Sequence, residues 1–339
     1  MSYQPHHMLV TGGAGFIGAN FVRYMLTNHP QVKIINLDKL TYAGNLANLE
    51  NLPHPEQHHF IQGDITDAAL VRHIMNHHHI DTIVHFAAES HVDRSITGPQ
   101  AFIETNIVGT FVLLEAARHQ WIEIENADLS KRRFHHVSTD EVFGSLQPDD
   151  PLFTETTRYQ PRSPYSASKA GSDHLVNAYY HTYGLPVTLT NCSNNYGPYQ
   201  HEEKFIPTII KACLKGQPIP IYGNGKNIRD WLYVEDHCRG ILDVIQQGIL
   251  GESYNIGGHN EWENLKLAQY ICDQMDKLHP QETSYATLLQ FVNDRAGHDF
   301  RYAIDTQKIT NGLQWKPKET LETGIQKTIA FYLRKQQPD

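Results

Sequence analysis

The sequence predicts an α/β protein: a doubly wound parallel sheet followed by a smaller mixed α/β C-terminal substrate domain. Three observations carry that prediction. A short apolar run, Met8-Leu9-Val10, opens onto the glycine-rich stretch Thr11–Gly18, after which Ile17, Phe21, Tyr24 and Met25 recur at helical spacing; this is strand, tight turn, helix. Further apolar runs alternate with helical patterns as far as Thr190. Beyond it the periodicity is patchier, with Gly216, Pro218, Pro220, Gly223 and Gly225 close together. The expected boundaries are residues 1–192 for the first domain, with segments near 228–258 returning to it, and 193–227 plus 259–339 for the second.

The first turn is of the Rossmann dinucleotide-binding type. Gly13, Gly15 and Gly18 satisfy G-x-G-x-x-G, and Gly12, Gly15 and Gly18 satisfy the related G-x-x-G-x-x-G. Such glycines let the backbone turn tightly and approach a pyrophosphate seated on the helix N-terminus. A second apolar run, Val32–Leu37, ends at Asp38, twenty residues beyond Gly18, where a ribose 2′-hydroxyl needs an acceptor. A carboxylate there repels a 2′-phosphate, so NAD is favoured over NADP.

The remaining elements follow in order. Phe60–Ile65 reads as the third strand and its exit, with Asp64 bordering a cofactor or capping the next helix. Asp81–Phe86 reads as the fourth, opening into Ala87-Ala88-Glu89-Ser90, small residues beside which a cofactor can lie. A long apolar helix from about Pro99 to His119 carries Thr105 and Asn106, and Trp121 to Lys131 reads as a surface loop. Arg133–Val137 is a strand, Leu185–Thr190 a sixth, Asn191–Pro198 a polar turn, and Arg229–Asp236 the return to the first domain. Arg229, Arg295 and Lys204 are candidates to meet a diphosphate.

Composition excludes several classes. A formal charge of -9 without a basic run argues against a nucleic-acid surface. Four widely spaced cysteines without C-x-x-C read as reduced thiols in the cytoplasm, and no signal peptide or membrane run is apparent. The 22 histidines, His77-His78-His79 included, lack metal-site spacing, so no metal is expected.

Two stretches carry chemistry. Ser138-Thr139-Asp140-Glu141 follows a strand tip and offers a hydroxyl beside two carboxyls, of which one can give a proton and the other take one. Adjacent carboxylates repel, so one should stay protonated near neutrality. In Ser163-Pro164-Tyr165-Ser166-Ala167-Ser168-Lys169, Ser163 caps a helix on which Tyr165 and Lys169 share one face. The ammonium, together with an oxidised nicotinamide, is expected to favour the phenolate and make Tyr165 a base for a sugar hydroxyl.

With these residues the chain resembles the extended short-chain dehydrogenase/reductase family and, within it, the dTDP-glucose 4,6-dehydratases; the likeness runs from Met8 to about Tyr302. Asp38–Asn45, Ala87–Ile96 and Ser138–Gly144 together are its most specific part, since related epimerases lack the paired Asp-Glu. The resemblance implies conversion of dTDP-glucose to dTDP-4-keto-6-deoxyglucose, a product that feeds dTDP-rhamnose or another deoxysugar. Thr139 would hold the glucose 4-hydroxyl, Tyr165 with Lys169 would deprotonate it, Glu141 would take the C5 proton and Asp140 would protonate the departing C6 hydroxyl. NAD contacts are implied for Gly12, Gly15, Phe16, Ile17, Gly18, Asp38, Lys39, Leu40, Thr41, Asp64, Ile65, Phe86, Ala87, Ala88, Glu89, Ser90, Thr105, Tyr165, Lys169 and Asn195. Substrate contacts are implied for Ser90, Thr139, Asn194, Lys204, Phe205, Pro220, Ile221, Tyr222, Arg229, Asn264, Asp294, Arg295, Ala296, Gly297, His298 and Asp299. A homodimer formed through the long helices is also implied. Phe143 stands where the family usually has Tyr, Ala296 where it has Pro and Glu202 where it often has Pro. The competing readings are a dehydratase or epimerase of another nucleotide sugar (UDP-glucose or UDP-GlcNAc type) and a non-catalytic NAD-binding sensor.

Overall fold

The structure is a computed structural model that describes residues 2–294 and 299–335. Its main sheet is built from β1 (His7–Thr11), β2 (Lys33–Asp38), β3 (His58–Gln62), β4 (Thr82–His85), β5 (Arg133–Thr139), β6 (Val187–Cys192) and a later strand, Ser253–Ile256, labelled β10. The order is β3-β2-β1-β4-β5-β6-β10, every pairing parallel. The order reverses between β1 and β4, and a crevice opens there at the strands' C-terminal ends.

Helices cover both faces, as a parallel sheet requires. In chain order they are α1 (Phe16–Asn28), α2 (Ala68–His77), α3 (Val92–Thr97), α4 (Gln100–Phe102), α5 (Thr110–Ala117) and α6 (Pro164–Tyr183). Between α4 and α5 the chain winds through the π-helical stretch Ile103–Gly109, and after α5 through a second, Arg118–Ile124. One face packs α1 against β1 and β2 with Phe21, Val22 and Met25; the other packs α2, α5 and α6 with Val71, Ile74, Leu113 and Val176. Ser163 caps α6 in a reciprocal box with Ser166, and Gly184 ends the helix in a left-handed turn, as the sequence requires.

The smaller body contains β7 (Asn194–Tyr196), β8 (Ile219–Tyr222), β9 (Ile228–Tyr233), β11 (Glu261–Glu263), β12 (Leu289–Val292) and β13 (Arg301–Tyr302). Strand β9 is central, flanked by β11 and β13 and also paired with β7, while β8 pairs with β12. Helices α7 (Phe205–Lys215), α9 (Asn264–Leu278) and α11 (Leu321–Lys335) bury Ile206, Ile210, Leu267, Ile271 and Ile325 against them. Helix α8 (Val234–Gln247) returns to the main sheet and packs Ile241 and Ile245 beside α1; α10 (Gln307–Leu313) follows β13.

Several expectations need correction. Trp121 does not begin a surface loop: it is wholly buried, and its Nε1 donates to Ile80 O at 2.8 Å. The helical winding continues to Ile124 because an indole this large is most stable under the sheet with its N–H satisfied. The polar stretch after Thr190 is not simply a turn, since β6 runs to Cys192 and β7 follows at once. Asp64, in the exit of β3, accepts from Thr66 N at 2.9 Å, and the cap of α2 is instead Asp67, which accepts from Ala69 N and Leu70 N. The return to the main sheet begins at Val234, because Arg229–Tyr233 lies in β9 of the second sheet.

Candidate active site

One cavity of about 310 Å³ lies at the crevice, between the main sheet and the smaller body. It brings together Gly12, Gly15, Phe16, Ile17 and Gly18 with Asp38, Lys39, Thr41, Asp64, Ile65 and the Phe86–Ser90 strand exit. Thr105, Thr139, Asp140, Glu141, Tyr165, Lys169, Asn194, Asn195 and Lys204 line the same space. Stretches spread from Gly12 to Lys204 therefore converge.

The glycine turn fits a dinucleotide. Gly12 has φ +74°, and a Cβ there would stand 2.6 Å from Ala87 N. A Cβ on Gly18 would stand 2.2 Å from Gly12 O, so both positions are closed to other residues. No side chain caps the N-terminus of α1, whose first turn faces the cavity and suits an anionic phosphate. Asp38 is fixed by N–H donors from Ala14 (2.9 Å to Oδ2) and Leu40 (2.8 Å to Oδ1). Leu40 thus acts through its backbone and, unlike its neighbours, is not among the residues lining the cavity.

The hydroxyl and carboxyls sit where β5 ends. Thr139 Oγ1 accepts from Glu141 N at 3.3 Å and starts a single 3₁₀ turn, Asp140–Phe143, which Gly144 ends at φ +99°. Asn191 Nδ2 of β6 donates to Thr139 O at 3.1 Å. The turn separates the two acids: Asp140 is 2 % exposed, Glu141 half-buried. Burial first, and then the Glu141 charge, push the Asp140 carboxyl well above the usual range. Asp140 Oδ2 finds no hydrogen-bond partner among the described residues, nor does Asn194 Oδ1, so buried polar atoms lining the cavity await a ligand.

Tyr165 and Lys169 enter from the first turns of α6. Lys169 Nζ donates to Val137 O at 2.8 Å and lies 3.4 Å from His136 Nε2. The protein's own groups favour the phenol, so the expected phenolate depends on the positive nicotinamide ring. Burial first, then the Glu141 charge, push the Tyr165 hydroxyl well above its ordinary value. The ammonium is engaged by a carbonyl of β5, and its own pKa is lowered by burial.

Sequence reasoning missed the residues that hold these parts together. Asn106, in the π-helical stretch, donates from Nδ2 to Glu89 O (3.0 Å) and Ser168 Oγ (2.8 Å), and its Oδ1 accepts from Glu89 N (2.8 Å). It ties the β4 exit to the helix bearing Tyr165. Asp173, wholly buried one turn beyond Lys169, joins α6 to β5. Tyr42, Gln200, His201 and Glu203 also line the cavity; the resemblance took in the first through Asp38–Asn45 and the second through Ser193–Gln200, but nothing local marked His201 and Glu203.

Several expected substrate contacts lie away from the cavity lining. Ile221 is 1 % exposed and turns into the small-body core, while Pro220 and Tyr222 lie on the opposite face of β8. Phe205 stacks on Trp231 with centroids 6.0 Å apart, and Asn264 opens α9. Arg229 is buried, not a surface cation: it donates to the carbonyls of Ile228 (2.7 Å), Asp299 (2.9 Å) and Phe300 (3.2 Å). Asp299 pairs with Arg162 at 3.1 Å, and Asp294 packs beside Gly223. Arg295, Ala296, Gly297 and His298 lie outside the described residues. Among the described residues no cluster suits a metal ion, and no helix is long and apolar enough to cross a membrane.

Phe143 points away from this site. Its ring packs 5.3 Å from Phe153 and 5.2 Å from Tyr159 in a satellite core with Val142, Tyr302 and Ile304.

A parallel sheet with a glycine-rich first turn, and a Tyr-x-x-x-Lys helix reaching the same cavity, define the extended short-chain dehydrogenase/reductase class. The chain belongs to the GDP-mannose 4,6 dehydratase family, whose model matches residues 9–328. A dTDP-glucose 4,6-dehydratase of Shigella flexneri is 56% identical over 334 residues, covering 96% of this chain and 92% of that protein. A dTDP-glucose 4,6-dehydratase of Streptomyces venezuelae, solved with NAD and TYD bound, superposes with a TM-score of 0.87 at 45% identity over 97% of both chains. A dTDP-glucose 4,6-dehydratase of Bacillus anthracis, in complex with NAD, gives 0.85 at 43% identity, covering 98% of this chain and 97% of that one.

Proposed function

We propose that the chain converts dTDP-glucose to dTDP-4-keto-6-deoxyglucose and water. It is an NAD-dependent enzyme, a hydro-lyase of nucleotide-sugar metabolism. The observation that carries the reading is that Thr139, Asp140 and Glu141 share one cavity with Tyr165, Lys169 and the glycine turn. An epimerase needs the tyrosine and the turn but has no use for a buried acid beside a second carboxylate.

The glycine turn and Asp38 would hold NAD, which would supply a hydride acceptor for C4 and a donor for C6. Thr139 holds the 4-hydroxyl, and Tyr165 takes its proton, assisted by the neighbouring ammonium of Lys169. The 4-ketone acidifies the proton at C5, which Glu141 accepts. Asp140, kept protonated by its burial, gives its proton to the departing C6 hydroxyl, and water leaves; as the hydride reaches C6 a proton returns to C5, and the proton taken by Tyr165 balances the one Asp140 gave. The larger body holds the dinucleotide and the smaller one the nucleotide end of the substrate, with Ser90, Asn194 and Lys204 facing both.

The enzyme acts in the cytoplasm, consistent with four buried free thiols, and its product supplies dTDP-rhamnose or a related deoxysugar. Two copies pair through the long helices: Ile103, Val108 and Phe111 expose 45%, 41% and 45% of their surface along the α4–α5 run, and Tyr183 exposes 46% on α6. Sedimentation should give twice the chain mass; a monomer would overturn the pairing.

The decisive measurement is to incubate the purified protein with dTDP-glucose and a catalytic amount of NAD⁺. Mass spectrometry should find one water lost from the sugar nucleotide, with no net NADH. An unchanged mass, or a C4 epimer, would sink the assignment.

A further inference from the structure

The rim of the cavity carries contacts that the proton transfers above do not use. Tyr42 follows β2 and lines one wall; His201, Glu203 and Lys204 precede α7 and line another. Between them stands Arg94 of α3. Its guanidinium lies 3.7 Å from the centre of the Tyr42 ring, and its Nη2 lies 3.3 Å from Glu203 Oε2. Glu203 Oε1 lies 3.6 Å from His91 Nε2 and 3.6 Å from His201 Nδ1. The His201 ring stands edge-on to Tyr42, with centroids 6.0 Å apart. Lys204 Nζ donates to Ser90 O at 3.3 Å. Three stretches distant in sequence are thus joined across the cavity, two from the larger body and one leading into the smaller.

Each contact is modest alone, because Arg94 is 48% exposed at its side chain and Glu203 25%. A half-exposed ion pair and a cation resting on a ring are each weak alone. They share one guanidinium, however, so the walls cannot part at this point without breaking at least one of them. Tyr42 and Glu203, the two partners of Arg94, face the space that the glycine turn and Asp38 line.

We propose that Tyr42, Arg94 and Glu203 form a latch that keeps the dinucleotide in the cavity between and during turnovers. The inference rests on the reading that NAD lends and recovers its hydride within one cycle, for which escape of the reduced form would end catalysis. The latch is a retaining device and takes no part in proton transfer.

The test uses the full-length protein loaded with NAD, passed through gel filtration and extracted to measure dinucleotide per chain over time. Arg94→Ala and Glu203→Gln should lose NAD about tenfold faster than the unaltered protein, and Tyr42→Ala likewise. Tyr42→Phe, which keeps the ring, should retain NAD as the unaltered protein does. With substrate present, Arg94→Ala should release NADH into the medium. Unaltered retention in both Arg94→Ala and Glu203→Gln would overturn the latch. Because dinucleotide loss is read without substrate, this result stands apart from whether dTDP-glucose loses water.

Discussion

Asp173 Oδ2 accepts a hydrogen bond from Ser138 Oγ at 2.7 Å, joining the helix that carries Tyr165 and Lys169 to the strand that delivers Thr139, Asp140 and Glu141. Tyr159 donates to the same oxygen at 3.0 Å, and His136 Nε2 lies 3.2 Å from Oδ1. Val137 and Ser138 of β5 are thus held by Lys169 and Asp173, with His136 beside Ser172 Oγ at 3.2 Å. The oxidising pair and the eliminating pair keep their spacing through this seam.

The seam has a pH signature. Burial pushes the Asp173 carboxyl up to about 6 from an ordinary 3.8, against the lowering effect of Lys169. Between those values the folded protein holds a proton that the unfolded chain has released. Stability should therefore fall as pH rises through that window and level off above it, by roughly 3 kcal/mol at most. Urea unfolding across the window should show this slope, and Asp173→Asn should flatten it; an unchanged slope in the variant would assign the proton elsewhere.

Asn106→Ala should leave Glu89 N without its side-chain acceptor and remove the donor to Glu89 O and Ser168 Oγ. A loss of about 1–3 kcal/mol in unfolding free energy is expected. Turnover should fall further than stability explains, because the β4 exit and the Tyr165 helix lose their common anchor. Full activity in the folded variant would show that the clamp is dispensable.

Asp140→Asn and Glu141→Gln should leave the first half of the reaction largely standing. Rapid mixing with substrate should still show the nicotinamide reduced, while water loss falls by at least about a hundredfold, the usual scale for removing one acid or base. Abolished reduction with intact binding would contradict the division of roles.

Gly18→Ala should fold poorly or fail to hold NAD, since its Cβ would meet Gly12 O at 2.2 Å, a backbone atom with no freedom to withdraw. Dinucleotide content after purification is the measurement, and normal content would mean that the turn can shift.

Phe143→Tyr should change kcat/KM by less than about threefold, because the ring packs on Phe153 and Tyr159 and is not among the cavity-lining residues. A large gain on restoring the hydroxyl would mean that the satellite core communicates with the site.

What the sequence made legible was local. The glycine turn, Asp38 and the Tyr165–Lys169 pair each follow from spacing within one strand or one helix, and all lie at the cavity. The anchoring roles of Asn106 and Asp173 were not legible because Ser168 and Ser138, which they meet, lie 62 and 35 residues away, brought close only by packing. Trp121 was misjudged because its polar neighbours hid a position under the sheet. The rise that burial and the Glu141 charge impose on the Tyr165 hydroxyl was likewise out of reach, since desolvation depends on the whole fold. Arg229 was read as a candidate to meet a diphosphate, and the carbonyls that its guanidinium meets were not legible from spacing.

The contact of Arg94 with Tyr42 and Glu203 bears on how the enzyme meets its surroundings. A catalyst that retains its own hydride carrier has no second substrate to share with the rest of metabolism. Its output follows the supply of nucleotide sugar, and the ambient ratio of NADH to NAD⁺ drops out of its rate.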